Sequence, residues 1–172
     1  MLTFYSFGAS TAAGSRDSEG GFIKRLDWYL RDNQIGEAYN HGVGGDTTEM
    51  MVDRLPAVMK TIDSYENPFA LVTLGINDVP RIQDDNPDKR VPLQNHLESL
   101  SVILEETKRI GEVIYLTQYP VDYISLSIDS DLLSKYRVSA KEKVQSAGVK
   151  VIDIFGMVTN DMFNTRLDKL AL

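Results

Sequence analysis

A chain of 172 residues, 42% hydrophobic and 25% charged, is sized for one domain with a real apolar core. Its formal net charge of −7 argues against nucleic acid as a partner, because phosphate binding needs a basic surface. Cysteine is absent, which excludes disulfides and thiolate metal sites, and His41 and His96 are the only imidazoles.

The N-terminal stretch MLTFYSFGAS lacks the basic segment and long apolar run of a signal peptide. No apolar run approaches the length of a membrane span, so the expected location is the cytoplasm. The first predicted strand is LTFYSF (2–7), apolar almost throughout, as a strand buried on both faces would be. A helix follows over 20–32, with Phe22, Leu26, Tyr29 and Leu30 as its core-facing stripe. A weaker strand, IGEAYN (35–40), leads to a helix over 47–65 in which Pro56 predicts a kink or break. Strand FALVTL (69–74) precedes an irregular insertion rich in proline and charge, VPRIQDDNPDKRVP (79–92), expected to overhang the carboxyl edge of a sheet. Read without a ligand in mind, most of that insertion is a solvated loop. A helix over 92–109, strand EVIYLTQ (112–118), a helix over 127–147 and strand VKVIDIF (149–155) complete the series. Strand and helix alternate five times, which predicts one α/β domain over 1–172. It should be built on a parallel sheet with right-handed crossovers and helices on both faces.

Three strands run into loops of unusual composition. The first ends in FGASTAAG, where Ser10 by itself reads as a helix cap or turn residue. It is not a Gly-x-Ser-x-Gly elbow, since Ala12 stands where the second glycine would be. The second ends in Gly44-Gly45-Asp46-Thr47-Thr48, a tight turn before a helix that Asp46 or Thr47 could cap. In it, Gly45 can present its amide with no β-carbon in the way. The third ends in LGINDVP, where Asn77 offers a neutral amide donor suited to an oxyanion, or an ordinary Asx-turn. Successive parallel strands bring these loops to one edge. A serine hydroxyl, a glycine amide and an asparagine amide together have the parts of an acyl-transfer site.

With those residues in place, the chain resembles the SGNH hydrolases, also called the GDSL lipase/esterase family, over essentially its whole length. FGAS is similar to the first block, with Ser10 at the nucleophile and Ala9 where aspartate is usual; NHGVGGDTT is close to the second, with Gly45 at the oxyanion glycine; LGIND matches the third, with Asn77 at the oxyanion asparagine. KYRVSAKEKVQSAGVKVIDIFG resembles the helix and fifth strand before the last block. The resemblance implies a flavodoxin-like three-layer α/β/α sandwich with a five-stranded parallel sheet. It also implies an esterase, lipase or thioesterase that acts through acyl-Ser10, with Ser10, Gly45 and Asn77 holding the oxyanion and no cofactor.

The family's last block is Asp-x-x-His, whereas this chain ends NTRLDKLAL. In one register Asp168 is the motif aspartate and Ala171 stands at the histidine; in the other the motif would begin after Leu172. The expectations are that the final helix is missing and that uncovered apolar surface favours a homodimer or a completing chain. His41 and His96 read as surface or supporting residues before they read as substitute bases. A small ester or acylated molecule is the expected substrate. The alternative is a non-catalytic relative that binds an acylated or glycan ligand in the same cleft. A flavodoxin-like phosphate-binding domain ranks last, for want of a Gly-x-Gly-x-x-Gly or Walker pattern. No metal is expected, because Asp46, Asp78, Asp84 and Asp85 lack a supporting ligand set and read as surface acids.

Overall fold

Alternation along β1 (Leu2–Gly8) sets the layers. Tyr5 and Phe7 are buried on one face of the sheet, and Phe4 packs into a second cluster on the other, as the period of two requires. The computed structural model describes residues 1–15, 17–62, 68–82, 90–122, 124 and 126–157. Beside β1 run β2 (Gly36–Asn40) and β3 (Pro68–Thr73), then β4 (Glu112–Leu116) and β5 (Lys150–Ile152), in the order β2-β1-β3-β4-β5. Every pairing is parallel. Register is pinned by aromatic partners: Tyr5 stacks on Tyr39 at 5.3 Å, and Phe4 on Phe69 at 5.0 Å.

Helices cover both faces. α1 (Ser10–Ala13) and α2 (Gly21–Asp32) place Ala12, Ile23 and Leu30 against Leu71 and Ile114. On the other face lie α3 (Thr48–Met59), α4 (Leu93–Lys108) and α5 (Ser130–Ser146). They bury Met51, Leu55, Leu100, Ile103, Leu104, Ala140 and Val144 against Tyr5, Phe7, Val72 and Tyr115. This is the expected α/β/α sandwich with a five-stranded parallel sheet. A short α6 (Ile154–Met157) follows β5. Among the described residues no helix is long and apolar enough to cross a membrane.

Three details differ from expectation. The core stripe of α2 runs through Ile23, Leu26 and Leu30, and Tyr29 is 60% exposed. Asp27 turns instead toward β2, where its carboxylate accepts the Ala38 amide at 2.9 Å. Helix α3 runs through Pro56 without a break. The Thr47 cap and the buried Met51 and Leu55 hold the helix before Pro56, and Val58 and Met59 pack against the core after it. Strand β5 stops at Ile152 because Asp153 turns the chain: its carboxylate accepts from Lys141 (2.5 Å), the Thr117 hydroxyl (3.1 Å) and the Gly156 amide (3.1 Å). The stems of the 79–92 insertion are anchored, with Val79 and Val91 buried and the Tyr136 hydroxyl donating to the Val91 carbonyl at 2.8 Å. Asp84, Asp85, Asp168, Ala171 and the expected loss of a final helix lie outside the described residues.

Candidate active site

Because β1 lies between β2 and β3, the loops that leave their carboxyl ends are neighbours. The crossovers change face between β1 and β3, which is where such sheets open a crevice for ligands. Ser10 stands on the first loop, Gly45 on the second and Asn77 on the third.

Small residues let the first two loops touch. A β-carbon on Gly42 would fall 2.7 Å from the Ala13 nitrogen and 2.8 Å from the Ala12 methyl. Backbone bonds staple the loops: His41 N–H donates to Ser6 O at 2.9 Å, and Val43 N–H to Gly8 O at 3.2 Å. The Asn40 amide adds a bond to the Ala12 carbonyl. Ser10 is the first residue of α1, and Ala9 occupies the cap position, so Ser10 does not cap this helix. Its half-buried hydroxyl makes no hydrogen bond among the described residues, and neither does the Gly45 amide. Gly45 has φ +89°, a conformation that favours glycine, and nothing lies within 4 Å of where its β-carbon would be.

The second and third loops are joined by buried polar groups. Thr47, not Asp46, caps α3, its hydroxyl accepting from Met50 N–H at 3.2 Å. Asp46 is 6% exposed and paired with Arg54 at 2.6 Å, and Arg54 also donates to the His41 carbonyl at 2.6 Å. The Asn77 amide crosses to the Asp46 carbonyl at 2.9 Å, so it is not a local Asx-turn. Asp78 is fully buried and accepts the Thr48 amide at 3.1 and 3.2 Å and the Thr48 hydroxyl, and its Oδ1 lies 3.2 Å from His96 Nδ1, which is also 3.5 Å from the Thr48 hydroxyl. The reading of Asp46 and Asp78 as surface acids is therefore corrected. Both carboxylates are enclosed because each has a donor set that offsets the loss of water. The Arg54–Asp46 and Asp78–His96 pairs left no signal in the sequence, since their members are 8 and 18 residues apart.

His96 is fully buried, whereas His41 is half-buried. The His96 ring has no exposed surface, with Nδ1 on Asp78 and Nε2 buried without a partner among the described residues. The His41 ring packs 6.0 Å from Tyr5 and 5.8 Å from Phe7, and its Nε2 is likewise buried and unpartnered. Burial first, and then the charge of Arg54, hold the His41 pKa below its usual value. Native His41 is thus neutral where the unfolded chain takes up a proton, so stability is full above about pH 6.5 and falls as pH drops through it. Urea midpoints at pH 7.5 and 5.5 should show this drop, and His41→Gln should flatten it.

Gly75 begins the third loop with φ +121°, and a β-carbon there would sit 2.5 Å from Gln118 Nε2 and 2.9 Å from His96 Cε1. Gly75→Ala should therefore cost about 3 kcal/mol, from backbone strain and overpacking together, read as a lower urea midpoint. Gln118 also lines a cleft beside Ser10, formed by Ala9, Thr11, Leu74, Ile76 and Tyr119. The cleft measures about 10 Å³, room for roughly one water molecule.

No protein-family model matches the chain, and no curated protein matches it. Solved structures do. A lipase/acylhydrolase from Enterococcus faecalis is similar at 23% identity and a TM-score of 0.70, over 94% of this chain and 82% of that one. A member of the lipolytic G-D-S-L family from Veillonella parvula is similar at 17% identity and a TM-score of 0.71, over 100% of this chain and 85% of that one. The esterase AlinE4, described as an SGNH-hydrolase family esterase, is similar at 22% identity and a TM-score of 0.68, over 92% of this chain and 79% of that one. The chain thus has the fold of the SGNH and GDSL esterases, as the resemblance of its three loops implied.

Proposed function

We propose that this chain is a single-domain ester hydrolase that works through an acyl-Ser10 intermediate on small esters or acylated molecules. The observation that supports the reading is the Ser10 hydroxyl, which bonds to nothing among the described residues, after a strand whose two neighbours lead into the loops of Gly45 and Asn77. Ser10 Oγ would attack the ester carbonyl carbon, and the carbonyl oxygen would become an oxyanion facing the amides of Gly45 and Ser10 and the Asn77 amide. One Asn77 N–H is spent on Asp46 O, which orients the group and leaves the second for the oxyanion. Collapse of the adduct expels the alcohol, and water then cleaves acyl-Ser10 to the acid. No metal or other cofactor enters these steps.

The Ser10 proton must go to a base, and the fully buried His96 ring and the enclosed Nε2 of half-buried His41 do not fit that role. That enclosure favours a second reading, a binding protein for an acylated or glycan ligand at the same loops. An alkyl fluorophosphonate separates the two. In the hydrolase reading, intact mass shows one adduct, peptide mapping places it on Ser10, and Ser10→Ala takes none. A folded wild-type chain that stays unlabelled would overturn hydrolysis and leave binding.

A further inference from the structure

We propose that His96 is a positioning residue for the oxyanion donors, acting through Asp78. The inference rests on the hydrolase reading for its functional meaning, but its geometry stands apart from it. A fully buried histidine whose Nε2 has no partner among the described residues is a costly choice where leucine would fill the space. What the imidazole adds is Nδ1, 3.2 Å from Asp78 Oδ1 and 3.5 Å from the Thr48 hydroxyl that the same carboxylate accepts. Asp78 in turn holds the first turn of α3 through the Thr48 amide and hydroxyl. The residue before Asp78 is Asn77, and the turn before α3 carries Gly45. One buried carboxylate therefore ties the loop of one donor to the helix start that follows the other. His96 supplies the contact that keeps this carboxylate oriented.

The arrangement also explains the packing behind the third loop. The His96 ring lies against Gly75 and 5.5 Å from the Tyr136 ring, packing that holds it beside Asp78. Tyr136 is itself fixed by its hydroxyl bond to Val91 O. The clamp is thus set from α4 and α5, elements remote from the exposed ends of the loops. Small displacements of catalytic donors are expensive, with about 1 Å costing on the order of 100-fold in rate.

Long-range ¹H–¹⁵N spectra of the full chain, assigned with His41→Gln, test the clamp without any need for turnover. His96 should carry its proton on Nδ1, and in His96→Leu the Thr48 amide should exchange about tenfold faster or more while the Asn77 side-chain amide signals move. His96→Asn, which restores a donor near Nδ1, should bring both back toward wild type. An Nδ1-bare tautomer, or Thr48 and Asn77 signals unchanged in a folded His96→Leu, would overturn the proposal. On p-nitrophenyl acetate, His96→Leu should lower kcat about 10- to 100-fold with KM within about twofold, and His96→Asn should recover most of it. A chain inactive in every form, with the spectra as expected, would sink the hydrolase reading and keep the clamp. A raised KM with unchanged kcat would sink the positioning role.

Discussion

Ser10→Ala is expected to bring p-nitrophenyl acetate hydrolysis down to the buffer rate, a loss of about 10³-fold or more. The size follows from what remains. Without the hydroxyl no acyl-enzyme forms, and Gly45 and Asn77 can only stabilise attack by free water. The substitution removes one oxygen from a half-buried position that bonds to nothing among the described residues, so the urea midpoint should stay within about 0.5 kcal/mol of wild type. Loss of turnover with stability retained would assign the nucleophile. Equal rates in both forms would mean that no base reaches Ser10, because in a serine hydrolase losing the base alone costs about as much as losing the nucleophile. The binding reading would then stand.

Asn77→Ala should lower kcat by about 10²- to 10³-fold and leave KM nearly unchanged, since an oxyanion donor is used mainly in the transition state. This substitution also has a structural cost. The Asp46 carbonyl loses its 2.9 Å donor from the third loop, which should lower stability by about 1 kcal/mol. Steady-state kinetics beside urea unfolding separate the two effects. A fall in activity no larger than the loss of folded protein would argue that Asn77 only braces Asp46.

Much of this architecture was legible in the sequence because it depends on local period. Apolar runs of strand length alternating with helix-period segments give a parallel sheet, and Phe4, Tyr5 and Phe7 show how one strand can feed two cores. The three loops could be read for the same reason: glycine, small residues and asparagine at strand ends report backbone needs that stay local. Errors arose where the outcome depended on a partner. Tyr29 and Ile23 are both suitable for a helix stripe, and the choice followed from Asp27 docking on β2. Asp153 ended a strand that hydrophobicity alone would have continued, because Lys141 and Thr117 lay in reach.

By itself, then, the sequence determined the order of elements, the parallel sheet and the residue types at its carboxyl edge, all consequences of spacing along the chain. Tertiary structure alone decided that Asp46, Asp78 and His96 are buried, that His41 is half-buried with its Nε2 enclosed, and that Arg54 and His96 brace the loops. A carboxylate or an imidazole is as readily solvated as buried. Which it becomes depends on whether the fold brings donors to it from elements far away in the chain.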